Sequence, residues 1–127
     1  MTRQEAYDRM LAHMRNQKAF SLESSTTCVY RHPCGHKCAV GALIPDEAYD
    51  PGFEGSDATD KDVVLAASMN PEDAIFLNDA QDSLHDSIAF DPYNMTPKAF
   101  NPETFECNAK DFAERWKLTY TPPAQSA

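Results

Sequence analysis

Basic residues are scarce in this chain of 127 residues: 11 Lys and Arg stand against 20 Asp and Glu, for a formal net charge of −9. A surface that displaces counterions from nucleic acid needs a positive excess, so direct nucleic-acid binding is not expected. Docking on anionic lipid is disfavoured on the same ground. Long apolar runs are also missing. The longest, Ala39–Ile44 with Gly41 inside it, falls far short of the roughly 18–20 residues that cross a bilayer. The opening Met1-Thr2-Arg3-Gln4-Glu5 lacks the apolar run of a signal peptide, which sets the expectation of a cytoplasmic protein. Several reaction motifs are absent: a Gly-rich phosphate loop, a Ser nucleophile elbow, H-E-x-x-H, the D-x-D-x-D-G calcium loop and a C-x2-C pair.

What is present is an uneven charge map. Residues 1–45 hold 6 basic and 3 acidic groups, residues 46–91 hold 1 and 13, and residues 92–127 hold 4 of each. The acidic excess therefore belongs to one segment. The length and the 42% hydrophobic content suit one domain with one core, over residues 1–120, followed by a flexible tail at 121–127.

The pattern predicts a mostly helical α+β fold of about four helices with one small β-hairpin or strand-turn element near residues 28–44. Thr2 and Glu5 form a capping box, and Tyr7, Met10, Leu11 and Met14 make an apolar stripe ending near Asn16-Gln17. Residues 23–27 read as a loop. Cys28–His32 favours a strand, Pro33–Lys37 a turn, and Cys38–Ile44 a returning strand or a short buried helix, of which the helix is preferred. Gly41 inside that apolar run predicts close backbone approach or packing. Residues 46–60 form an acidic loop. A short helix over 60–69 is capped by Thr59 or Asp60. Asn70-Pro71 starts a longer helix running to about Ile88, with Leu77, Leu84 and Ile88 on one side and Asp79, Asp82 and Asp86 on the other. Asp91–Asn94 reads as a turn. Asn101-Pro102-Glu103 starts a last helix carrying Phe105, Ala109, Phe112, Ala113 and Trp116.

Three constellations could carry chemistry. Cys28, His32, Cys34, His36 and Cys38 put five potential ligands within eleven residues, a candidate zinc set. A loop of Cys34-Gly35-His36 would put Cys28, His32 and Cys38 on one face, and a four-residue loop would break that set. Otherwise Cys28 and Cys38 are small buried apolar residues, and His32, Cys34 and His36 decorate an exposed turn. Cys38, opening a short helix, could be a thiol nucleophile with His85 as base and Asp86 as its orienting partner. Finally, Asp57, Asp60 and Asp62, with Asp79, Asp82 and Asp86, could form an acidic face that steers onto a basic partner protein. Tyr30 and Arg31 are further binding candidates, Arg31 as a ligand-binding cation or as the partner of a carboxylate. No cofactor besides zinc is suggested, and the oligomeric state is not legible.

Taken together, Cys28-x-Tyr30-Arg31, Gly35-x-Lys37-Cys38-Ala39-Val40-Gly41-x-Leu43-Ile44-Pro45-Asp46-Glu47-x-Tyr49 and Leu84-His85-Asp86 resemble a family of small uncharacterised proteins from tailed bacteriophages and prophages. The opening helix and the closing one, ending near Leu118-Thr119-Tyr120, are similar too. The resemblance implies a phage setting in a host bacterial cytoplasm and no particular reaction. His32, Cys34 and His36 fall outside the family pattern, which leaves Cys28, Cys38 and His85 as the set that the resemblance supports. The resulting expectation is an accessory protein that binds a host or phage protein through its acidic face, as inhibitor or decoy of a host factor such as a nucleic-acid-binding or defence protein. The alternatives are a small Cys/His-dependent enzyme or ligand-binding protein centred on Cys38 and His85, and a zinc module.

Overall fold

The computed structural model describes residues 1–24, 27–91, 93 and 96–123. It is a mostly helical α+β fold of four α-helices, a two-stranded antiparallel sheet and single 3-10 turns. Helix α1 spans Arg3–Gln17. The Thr2 hydroxyl accepts the Glu5 N–H and the Glu5 carboxylate accepts the Thr2 N–H, each at 3.0 Å. The stripe Tyr7, Met10, Leu11 and Met14 is buried as its spacing requires. Lys18 stops the helix in the left-handed conformation, with φ 54°.

Strands β1 (Leu22–Ser24) and β2 (Thr27–Cys28) pair where the sequence reads as a loop. The β element thus starts before residue 28, because Leu22 and Cys28 both have a core to pack against. Residues 25 and 26 lie outside the described residues. The following turn is closed by a bridge between Arg31 and Lys37, and the His32 N–H donates to the His36 carbonyl at 2.9 Å. Its loop is Pro33-Cys34-Gly35, one residue earlier than the Cys34-Gly35-His36 alternative. Gly35, at φ +102°, supplies the turn. The third run ends in a 3-10 turn at Gly41–Leu43, the short-helix alternative in a tighter form.

The acidic loop holds 3-10 turns at Asp46–Ala48 and Pro51–Phe53. Helix α2, Lys61–Ala66, is capped by the Asp60 carboxylate, which accepts the Asp62 N–H at 2.9 Å. Asn70 opens a 3-10 turn, Pro71–Asp73, that passes into helix α3, Ala74–Leu84. This helix stops short of Ile88. His85 leaves helical geometry, with φ −145° and ψ −68°, and a 3-10 turn at Asp86–Ile88 follows. Pro92 and Asn94 of the expected 91–94 turn lie outside the described residues.

Helix α4, Pro102–Trp116, starts on Asn101, whose carboxamide oxygen accepts the Glu103 and Thr104 N–H groups. It buries Phe105, Ala109, Phe112 and Ala113. Phe112 stacks on Tyr7 at 5.7 Å between centroids, and the Tyr7 hydroxyl donates to the Ala109 carbonyl at 2.7 Å. Helix α3 packs against both α1 and α4, and one hydrophobic cluster joins them to the 38–44 segment. Of the expected tail, the Thr121 carbonyl accepts from Arg15 at 2.8 Å, and residues 124–127 lie outside the described residues.

Candidate functional site

The end of α3 places one candidate site. Gln81 sits on the same helical stripe as Leu77 and Leu84, four residues after one and three before the other. It is buried there, and its carboxamide bridges two segments. Its oxygen accepts the Val40 N–H at 2.9 Å, and its nitrogen donates to Asp86 Oδ1 at 2.8 Å. The break at His85 turns the imidazole inward, where it is fully buried and meets the Phe20 ring edge-on at 5.3 Å.

Both imidazole nitrogens are occupied. The Ser21 backbone N–H donates to Nε2 at 2.9 Å. A backbone amide can only donate, so Nε2 is the acceptor and Nδ1 carries the proton. Nδ1–H then donates to Asp86 Oδ1 at 2.8 Å. Asp86 Oδ1 thus receives both His85 and Gln81.

The potential ligand atoms of Cys28, His85 and Asp86 lie within 4.8 Å of one another, the one such trio among the described residues. His32, Cys34 and His36 do not join it. They lie on the partly exposed 32–36 turn, where the His32 Nδ1 accepts the Cys34 N–H at 3.0 Å. The five-residue ligand set is therefore not assembled. A metal on Nδ1 would have to replace its proton, and Nε2 would then carry a hydrogen against the Ser21 N–H. The fixed tautomer opposes His85 as a ligand.

Cys38 is buried beside this network, and its Sγ accepts the Gly41 N–H at 3.4 Å. Burial pushes the Cys38 thiol far up, outweighing that hydrogen bond. Burial likewise pushes the Cys28 thiol far up, and Asp86 beside it acts in the same direction. Neither thiol has the electropositive, open setting that makes a nucleophile. His85 has no free nitrogen with which to accept a thiol proton.

Cys28, Cys38, Gln81 and Asp86 line a half-open cavity of about 460 Å³, together with Tyr30, Asp57, Asn78 and Phe90. No family model, curated protein or solved structure matches the chain.

The acidic residues have three different fates. Asp79 is held internally: Oδ2 accepts from Arg115 Nη1 and Trp116 Nε1, both at 2.6 Å. Asp82 is exposed, and partial burial with Asp86 and Asp79 nearby raises its carboxyl. Asp86 faces the cavity. They do not form one helix face, because the helix ends before Asp86. Asp57 and Asp60 are exposed loop and cap residues, and Asp62 is exposed on α2. The Asp57 carboxyl is lowered by its hydrogen bonds from Thr59.

Arg31 takes the commoner of its two expected roles. Its guanidinium pairs with Asp46 at 2.8 Å, donates to the Ile44 carbonyl at 2.7 Å and lies over Tyr49. The Tyr30 hydroxyl donates to the Ser56 carbonyl at 2.7 Å. Sequence reasoning missed Gln81, Ser21 and Asn78. A polar Gln81 on the apolar stripe of α3 is a readable signal. Ser21 acts through its backbone and gives none.

Proposed function

We propose that this is a non-catalytic accessory protein that binds a host or phage protein with a basic surface. The observation that carries the reading is where the folded chain leaves its charge. Arg3, Arg15, Arg31 and Arg115 turn onto Asp73, Glu106, Asp46 and Asp79. Glu47, Asp57, Asp60, Asp62, Glu72 and Asp82 remain exposed, with no salt bridge among the described residues. An uncompensated surface of this kind speeds association with a positive partner and selects against negative ones. Leu65 and Ile75, exposed by 53% and 67%, lie in the same acidic segment and offer apolar area for an interface. The phage resemblance supplies the setting, in which an inhibitor or decoy acts in the host cytoplasm.

The test is capture from host cells with the full chain as bait, washed at rising salt, beside Glu47→Lys/Glu72→Lys/Asp82→Lys. Among the described residues these side chains make no hydrogen bond or ion pair, so the variant is expected to keep its melting temperature and lose a salt-sensitive protein partner. Capture of the same protein by both forms, or of no protein by either, refutes the reading.

A zinc module is the second reading, favoured by the proximity of Cys28, His85 and Asp86. It requires the Ser21 N–H to release Nε2. Zinc in stoichiometric amount in the purified protein, together with unfolding by a chelator, would establish it. Protein that is folded and free of zinc would exclude it.

A further inference from the structure

We propose that the cavity over Asp86 is a binding site for a small organic cation, an alkylguanidinium or alkylammonium group on an apolar stem. The inference stands independently of whether the outer acidic surface meets a partner. The cavity volume, about 460 Å³, is within the range that holds a small ligand. Its charged lining side chains are Asp57 and Asp86, and no Lys, Arg or His lines it. Of the two thiols on its wall Cys38 is buried and Cys28 half-buried, and desolvation favours the neutral form of both. Phosphate or carboxylate ligands would enter against two carboxylates with no cation to receive them.

The geometry of Asp86 favours a donor-rich cation over a neutral ligand. Oδ1 is fixed from behind by His85 and Gln81. Among the described residues Oδ2 has no hydrogen-bond partner, and the side chain is 38% exposed. The acceptor is therefore oriented before a ligand arrives, which reduces the ordering cost of binding. The exposed Asn78 carboxamide at the cavity wall also has no hydrogen-bond partner among the described residues, and it supplies a second acceptor. Tyr30, held by its hydroxyl on Ser56, and Phe90 supply aromatic surface for the cation and for the stem.

The probes are agmatine and cadaverine, with n-butylurea as the neutral counterpart and zinc chloride as the metal. Each is titrated into the ¹⁵N-labelled full chain. Agmatine or cadaverine should bind saturably and shift the amides of cavity residues, with n-butylurea weaker by at least about tenfold. Asp86→Asn should weaken the cation by about tenfold. Asp86 also anchors His85, so Asn78→Ala gives the second measure. That exposed change should leave the melting temperature in place and weaken the cation several-fold. Asp82→Asn, outside the cavity, should leave affinity within about twofold. Absence of saturable binding at millimolar cation would overturn the proposal. So would equal binding of the urea, unchanged affinity in both cavity variants, or zinc binding at Cys28 and Asp86 that excludes the amines.

Discussion

Gly41→Ala is expected to be among the most damaging single-methyl additions in this chain. A Cβ at residue 41 would lie 2.2 Å from the Tyr30 carbonyl oxygen, 2.9 Å from its carbon and 3.1 Å from the Tyr30 Cα. All three atoms are backbone, so no side-chain rotation relieves the clash. Reaching ordinary contact requires Tyr30 and the 41–43 turn to separate by about 1 Å. Tyr30 is tied down where it would have to move. Its N–H donates to Glu54 at 2.9 Å, its carbonyl accepts the Cys38 N–H at 3.4 Å, and its hydroxyl donates to Ser56 at 2.7 Å. Overpacking costs about 1–3 kcal/mol, and each hydrogen bond lost adds about 1 kcal/mol. A loss of about 3 kcal/mol corresponds to a fall of roughly 10 °C in melting temperature for a domain of this size. Urea and thermal unfolding of the variant measure it, with Gly52→Ala as reference. At Gly52 the nearest obstacle is the Asp50 side chain at 3.2 Å, which can turn aside. A Gly41→Ala protein that melts with the parent and with Gly52→Ala would refute the close-approach argument.

Three other outcomes follow from named contacts. In the folded protein a thiol reagent should modify the exposed Cys34 and Cys107 quickly, the half-buried Cys28 more slowly, and the buried Cys38 only at the rate of opening. A Cys38 that reacts as fast as Cys34 would contradict its burial. Asp79→Ala leaves the Arg115 and Trp116 donors unpaired and should cost about 1–2 kcal/mol by urea unfolding, after allowance for solvent screening. Asp82→Ala should cost less than about 0.5 kcal/mol, and equal effects would contradict their different fates. Burial works to raise the Glu106 carboxyl, but hydrogen bonds from Arg15 and Tyr120 overcome it and hold the group below its ordinary value of 4.5. Its contribution is therefore present above pH 4.5 and is lost as pH falls through the lower folded value. Urea midpoints should drop more steeply with acid in the parent than in Glu106→Gln, and parallel curves would remove Glu106 as a source of acid sensitivity.

The helices were legible because their starts rest on local chemistry. Thr2 with Glu5, Asp60, Asn70-Pro71 and Asn101-Pro102 each meet orphan amides within a few residues, so the sequence states them directly. Gly41 was legible for the same reason, as a residue without a Cβ in a run otherwise built to pack. The β1–β2 pair was not legible, since it is two or three residues per strand and its register depends on a core assembled by distant helices. The end of α3 was missed because periodicity continues through His85 to Ile88, while the contact that breaks it comes from Ser21, 64 residues away. That single non-local contact also explains why the candidate site was only partly legible. Cys28, Cys38, His85 and Asp86 were identified as residues, but their roles depend on which nitrogen of His85 is taken.

The Ser21 amide therefore governs what chemistry the site can perform. Had Nε2 faced open space, His85 could have ligated a metal or accepted a thiol proton, and Cys28 and Cys38 would have been read as its partners. With Nε2 occupied, the proton is fixed on Nδ1 and directed at Asp86, and the imidazole becomes a donor that orients a carboxylate. The helix break that permits this contact also diverts Asp86 from the Asp79 and Asp82 side of α3 to the cavity. An acid that simple periodicity assigns to the outer surface thus becomes the oriented acceptor of an inner one, and the pairing of Asp79 with Arg115 and Trp116 separates it further from that surface. Charge reversal across Asp79, Asp82 and Asp86 together would consequently confound folding, cavity and surface. Reversal at Glu47, Glu72 and Asp82 addresses the outer surface alone, and Asn78→Ala addresses the cavity alone.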